Sequence, residues 1–320
     1  MFMASTSDLK SENIQRVRRC FYSAGSLSMS QAEKMSGLSH GSVINVFRTL
    51  EESGEILLSE KTGTSVGRKT HHYILNPEFR HFLAIDIKRT SGGFESRSWR
   101  MNLRGEETDV RTHAFPAMDD SYLHMEIESM MKDYSDTDMI LISTPGVCAA
   151  GVITNGEIFS MDIGSWITER YHVPYVVEND VNVAAIGFYG EHPESENIAV
   201  IYQAEQGMFG CGILIGGRLY NGFSHAAGEL RYLPYMEERK KEPPEILLKE
   251  MILSVAAVLN PNIIGYASDP VKEAPDFENE IPSRHMPSII HIDDLDAYRR
   301  KGLYSIGMYN MAEKNKGNDK

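Results

Sequence analysis

Five residues between positions 41 and 49 have the types and spacing to read DNA. Gly41, Ser42, Asn45, Arg48 and Thr49 fall on one side of a segment whose apolar residues, Val43, Val46, Phe47 and Leu50, recur at helical spacing on the other side. The polar side is small and singly basic. In a major groove, Asn and Arg make bidentate contacts to base edges. A second set of cations, Lys61, Arg68 and Lys69, lies in and just after a polar stretch with two glycines, Lys61-Thr-Gly-Thr-Ser-Val-Gly-Arg68, placed for phosphate or minor-groove contact. Much further along, an apolar run at 173–177 ends in Glu178-Asn179-Asp180, directly before an alanine-rich helical pattern. A carboxylate between a strand's C-terminal end and a helix N-terminus suits hydroxyl recognition, with Asn179 able to donate and accept beside it. The alternative reading is that Asp180 only caps the helix.

The elements that must position the first set are legible. Ile14, Val17 and Phe21 make one stripe of a helix over 11–23, decorated by Arg16, Arg18 and Arg19. Ser28 with Gln31 forms a capping box for a short second helix that buries Ala32, Met35 and Leu38, and Gly37 supplies a tight turn. Ser39 is the N-cap of a third helix reaching residue 52, and it joins Gly41, Ser42, Asn45, Arg48 and Thr49 among the expected DNA-binding residues. Strand-like runs at 55–60 and 69–75 flank the polar stretch as a long hairpin. Three helices and a hairpin in this order are a winged helix-turn-helix arrangement, and residues 1–77 are expected to form a DNA-binding domain.

Whole-chain composition does not exclude this. The chain has 320 residues and a net charge of −13, with 42% hydrophobic and 24% charged residues, which excludes collagen, a coiled-coil rod and wholesale disorder. The charge is unevenly spread. Residues 1–77 hold nine Lys+Arg and seven Asp+Glu, which leaves 23 basic and 38 acidic residues for the remainder. DNA affinity follows local phosphate neutralisation rather than total charge. Three scattered cysteines, Cys20, Cys148 and Cys211, argue against a disulfide framework or a cysteine-rich zinc site. The segment MFMASTSDLK has no basic n-region ahead of an apolar stretch, and the longest mostly apolar run, 251–259, is far too short to span a membrane, so a cytoplasmic protein is expected.

Beyond residue 77 strands alternate with helices: strands at 82–87, onward to about 101, 107–114, 139–143, 173–177, 198–202 and 207–215, a Gly216-Gly217 turn, and helices at 121–133, 181–189 and 245–259. Residues 266–287 read as an acidic, proline-rich loop, 302–312 as a final helix and 313–320 as a frayed tail.

This chain resembles the ROK family of repressors, open reading frames and sugar kinases, in its repressor branch. The resemblance rests on Leu38-Ser39 and Leu50-Glu-Glu-Ser-Gly54 around the third helix, Gly67-Arg68 in the wing, Ser143-Thr-Pro-Gly146, Val177-Glu-Asn-Asp-Val-Asn-Val-Ala-Ala185, the glycine-rich 207–222 segment and Ala226-Ala-Gly-Glu229. It implies an α/β fold, with the winged helix followed over 78–320 by a two-lobed, actin-like, sugar-kinase-like (ribonuclease H-like) domain that holds a sugar in its cleft. Asp180 takes the position of the kinase general base and Glu229 that of a sugar-binding glutamate, so Asn179, Asp180 and Glu229 are the expected ligand contacts.

Departures from the pattern argue against catalysis. The family's first phosphate loop reads aspartate, any residue, glycine, glycine, threonine, and here it is Asp86-Ile-Lys-Arg-Thr90. Lys88 and Arg89 either obstruct phosphate or hold an anion themselves. Ala204-Glu-Gln-Gly207 replaces the second phosphate loop, and Glu205 would repel a polyphosphate. Arg231-Tyr232 replace the glycine–histidine that follows the glutamate motif, and the zinc-binding cysteines are missing, leaving His225 as a lone histidine expected to pack. No cofactor and no metal are expected. The expected partners are a double-stranded, palindromic DNA operator, a sugar or sugar-derivative effector and further copies of the chain, as a homodimer or dimer of dimers, with no membrane. The alternatives are an active ATP-dependent sugar kinase with an accessory DNA-binding domain, and a DNA-bound oligomeriser that senses nothing.

Overall fold

The computed structural model describes residues 6–59, 71–154, 160–205, 207–233, 236–239, 241–273, 275–277 and 280–314. The N-terminal portion comprises α1 (Thr6–Ala24), β1 (Ser26–Ser28), α2 (Met29–Ser36), α3 (His40–Glu52), β2 (Ile56–Leu58) and β3 (His72–Leu75). The Ser28/Gln31 capping box is formed, and Gly37 ends α2 in the left-handed region at φ 67°. Ser39 caps α3, whose Val43, Val46, Phe47 and Leu50 are buried. The three strands pair antiparallel in the order β1-β3-β2. Met35, expected in the core, is instead 52% exposed, because Ala32 fills the buried face of this two-turn helix. The hairpin's loop, with Lys61, Arg68 and Lys69, lies outside the described residues.

The first lobe contains β4 (His81–Thr90), β5 (Gly93–Asn102), β6 (Glu107–Phe115), α4 (Asp120–Asp133) and β7 (Met139–Thr144). A small antiparallel sheet follows, β8 (Val147–Ala149), β9 (Val152–Thr154) and β10 (Ser160–Asp162), then α5 (Ile163–Tyr171) and β11 (Tyr175–Asn179). The second lobe contains α6 (Asp180–Tyr189), β12 (Asn197–Gln203), β13 (Phe209–Ile215), β14 (Arg218–Leu219), α7 (Met236–Arg239), α8 (Pro244–Leu259), β15 (Ile263–Ser268) and β16 (Ser288–His291), and α9 (Leu295–Lys314) follows.

The two large sheets repeat one plan. Their strand orders, β6-β5-β4-β7-β11 and β14-β13-β12-β15-β16, are the same when each lobe's strands are numbered in sequence. In each, the first three strands form an antiparallel meander, and the fourth and fifth run parallel to the first. β7 and β15 are buried along their whole length, as parallel strands covered on both faces must be. This duplicated sheet is the actin-like, sugar-kinase-like α/β fold expected.

Two expectations at the C-terminal end need correction. Residues 266–268, read as loop, are the end of β15 and pair with β12. The run Ile263-Ile-Gly-Tyr-Ala-Ser268 is buried on both faces, so it lacks the alternation that marks a half-exposed strand. α9 begins at Leu295 rather than Gly302, because Asp294 accepts the Ala297 N–H (2.8 Å) and caps its first turn.

α9 and α6 cross in near-contact. A Cβ on Gly302 would lie 1.9 Å from the Val183 carbonyl oxygen, and one on Gly187 would lie 2.0 Å from that of Tyr298. The far half of α9 packs on α1. A single apolar cluster therefore joins Phe21 and Phe47 of the helical head, Phe82 and Trp99 of the first lobe, and Leu303, Ile306 and Met311 of α9.

Candidate functional site

On α3 the structure leaves Gly41, Asn45 and Arg48 exposed and Ser42 and Thr49 half-buried. The Ser39 hydroxyl accepts the Ser42 N–H (3.4 Å), and the Ser39 and Ser42 hydroxyls pair at 3.0 Å. Thr49 donates its hydroxyl to the Asn45 carbonyl (3.0 Å). These hydroxyls finish the helix, while the Asn45 and Arg48 side chains project from it, with Arg48 in no ion pair among the described residues.

The second site lies between the lobes, at the carboxyl ends of parallel strands, where open α/β sheets bind ligands. It is a cleft of about 110 Å³ lined by Asn179, Asp180 and Glu229, which the structure brings together as expected, and by Lys88, Arg89, Arg231 and Arg299. Asn179 is the helix cap. Its Oδ1 accepts the N–H groups of Val181 (2.9 Å) and Asn182 (3.2 Å), and its Nδ2 donates to the Gly146 carbonyl (2.9 Å). The side chain is thereby fixed by the scaffold, and the capping role does not fall to Asp180 alone. Asp180 is 6% exposed, and burial raises its pKa to about 6, although Arg299 opposes the rise and Asp86 adds to it. Burial also raises Glu229, against the pull of Arg231, with which it is ion-paired at 2.9 Å. Behind them Glu178, again raised by burial, accepts from the Asn182 side chain (2.9 Å).

Sequence reading missed Arg299. This residue is 3% exposed, and its Nε donates to Asp86 Oδ2 (3.0 Å). Asp86 Oδ1 accepts the Ser143 hydroxyl (2.6 Å), and Asp296 holds the outer edge of the guanidinium. Burial opposes the arginine's charge, but Asp86, Asp296 and Asp180 outweigh it and hold its pKa above the usual value. In the sequence Arg299-Arg300-Lys301 reads as a solvated charge run. The one available signal was the i,i+3 spacing of Asp296 and Arg299.

Lys88 and Arg89 separate in role. Lys88 is ion-paired with Glu95 (2.9 Å) and Asp296 (3.3 Å). Arg89 is exposed, lies over the Phe94 ring (5.0 Å to the centroid) and has no ion pair among the described residues. His225, expected to pack, is exposed at φ 60° on the turn before the glutamate motif, within electrostatic reach of Glu178. The three cysteines are free and buried. Among the described residues no group of three or more His, Cys, Asp or Glu is placed to hold a metal ion, and no helix is long and apolar enough to cross a membrane.

Comparison with known proteins agrees with this architecture. Residues 105–240 match the ROK family. The xylose repressor of Bacillus subtilis (strain 168) is 25% identical over 232 residues, covering 65% of this chain and 56% of the repressor, so the chain spans little more than half the length of that relative. A ROK family transcriptional regulator, described as a homolog of the E. coli MLC protein, superposes with a TM-score of 0.68 at 17% identity over 95% of this chain and 98% of its own. The ROK hexokinase of Thermus thermophilus superposes with a TM-score of 0.53 at 14% identity over 70% of this chain and 97% of its own, a likeness of fold. Residues 105–240 thus match the ROK family model, and the likenesses in sequence and fold extend to a xylose repressor and a ROK family transcriptional regulator.

Proposed function

We propose that this protein is a DNA-binding transcriptional regulator, a repressor of carbohydrate-metabolism genes, whose non-catalytic ROK domain senses a sugar or sugar derivative. Residues 1–77 are the DNA-reading domain and 78–320 the sensing and oligomerising domain of a cytoplasmic homodimer or dimer of dimers. The observation that carries the reading is the course of α9. Its N-terminal end reaches the cleft through Arg299, which Asp296 pairs, and its far half shares a core with α1 and α3. A ligand that binds one lobe arrangement better than another would move this helix, and with it the recognition helices. Only differential affinity for the two states can do so. Asn45 and Arg48 would contact base edges, Ser39, Ser42 and Thr49 would stiffen the helix, Gly41 would allow close approach, and Lys61, Arg68 and Lys69 would contact the backbone.

Asp180, buried with a pKa near 6, gives the kinase alternative its one specific support, since a general base works best near the operating pH. Against it, Arg299 already supplies a fixed cation to both Asp86 and Asp180, where phosphoryl transfer needs room for positioned phosphates and their metal ions. Incubation with Mg-ATP and a panel of monosaccharides separates the readings. No sugar-dependent ATP consumption, together with sugar-dependent release from DNA, is expected; turnover of several per second would favour the kinase.

A further inference from the structure

Two arginines from opposite lobes face one cavity. Arg89 stands at the end of β4 in the first lobe, and Arg231 follows the glutamate motif in the second, and both line the space that also holds Asp180 and Glu229. Lys88 and Arg299, the other cations of the wall, are neutralised from behind by Glu95, Asp296 and Asp86. Glu229 accompanies Arg231. For Arg89 the described residues offer a ring, that of Phe94, and no carboxylate.

We infer that the effector is an anionic sugar, a monosaccharide bearing one carboxylate or phosphate, whose anionic group lies between Arg89 and Arg231 while its hydroxyls turn toward Asp180 and Glu229. This rests on the sugar-sensing reading above and narrows it. The argument is one of desolvation. Closing the lobes on a neutral sugar removes water from Arg89 and returns no charge to it, and burying a cation without a counter-ion is costly. An anion reverses that penalty and gains charge-assisted hydrogen bonds to planar guanidinium forks, whose five donors suit carboxylate and phosphate oxygens alike. The anionic group also gives the ligand its differential affinity. It can meet both arginines only when the lobes approach, so it favours the closed arrangement, whereas a neutral sugar held by Asp180 and Glu229 alone would discriminate less. Asp180 is buried in the cleft, Glu229 is half-buried beside Arg231, and Arg89 is exposed, so the hydroxyl end is expected at Asp180 and the anionic end toward Arg89.

The test is calorimetric titration of the full-length protein with matched probes: D-glucose, D-glucuronate and D-glucose 6-phosphate, then D-xylose and D-xylonate. An anionic member should bind at least tenfold more tightly than its neutral partner, and whether carboxylate or phosphate wins identifies the source of the anion. Arg89→Gln and Arg231→Gln should each weaken the anion by tenfold or more, and Arg89→Lys should restore part of the preference. Melting of the unliganded variants by circular dichroism identifies any that fail to fold, in which case the salt dependence of wild-type binding serves instead, falling steeply for the anion and little for the neutral sugar. Equal affinity for neutral and anionic partners, or a preference that survives Arg89→Gln, overturns the inference while leaving a sugar sensor in place. Binding of no probe of either kind overturns both.

Discussion

Asp180 illustrates how a single residue can carry a functional cost. Its carboxyl is buried and its folded pKa, about 6, lies above the unfolded value, so the folded state binds the proton more tightly. The consequence has a definite sign. The carboxyl's contribution to stability is fully present below the unfolded pKa and is lost as pH rises through 6, leaving a charge buried at neutral pH that costs at most about 3 kcal/mol. Asp180→Asn, which cannot ionise, should therefore raise the melting temperature at pH 7.5, with the gain shrinking toward pH 5 and with ligand affinity lost. Melting curves across pH check this, and a gain that grew on acidification would contradict it. Arg299 makes the opposite case. Its removal as Arg299→Leu strands Asp86 without its cation, and breaking a buried pair from one side typically costs about 3–5 kcal/mol. Chemical denaturation should show that loss and its partial recovery in the Arg299→Leu/Asp86→Asn double variant. On the recognition helix, Arg48→Ala should abolish sequence preference, whereas Lys61→Ala should weaken binding to all sequences and flatten its salt dependence. A footprint unchanged in Arg48→Ala would remove α3 from the interface.

Among the elements, α9 bears most weight, and sequence reading recovered only its second half. Helices and strands with strong periodicity or chemical caps were readable: α3 from Val43, Val46, Phe47 and Leu50, α2 from its capping box, β4 and β7 from their mostly apolar runs. The cleft's Asn179, Asp180 and Glu229 were readable too, through motif and position. The first half of α9 was not. Half of the residues from Leu295 to Arg300 are charged, and the Arg299 that turns inward is indistinguishable by type from Arg300 beside it. Burial of that cation depends on a carboxylate, Asp86, brought from β4 more than two hundred residues away, and no local pattern records that. The short β8–β10 sheet and α5 were missed for a related reason, since strands of three residues carry no usable period. The α6–α9 crossing depends on glycine at Gly187 and Gly302, where even a methyl group meets backbone. Gly302→Ala should cost roughly 1–3 kcal/mol, typical of overpacking. It should also blunt the response of DNA binding to ligand, which fluorescence anisotropy with a labelled operator would measure. Destabilisation with the ligand response intact would mean that α9 supports the lobes without linking them to the head.

At the scale of the whole molecule, the repeated strand order gives two lobes with a cleft between them, and one apolar cluster ties the helical head to the first lobe and to α9. On the proposed reading, such continuity would make the head sensitive to lobe position. Uneven charge is consistent with the same division of labour, the head weakly basic and the remainder strongly acidic. A two-fold assembly would present paired recognition helices and call for a palindromic operator with half-sites spaced by a helical turn or its multiples. Sedimentation should accordingly find a dimer or tetramer that persists without DNA. The central claim, that this chain reads DNA sequence, is tested most directly by selecting genomic fragments with the purified protein at physiological salt and sequencing those retained. The account predicts a shared palindrome that disappears with Arg48→Ala. Retention without a common sequence, or no retention by the wild-type protein with or without the anionic sugars, would contradict it.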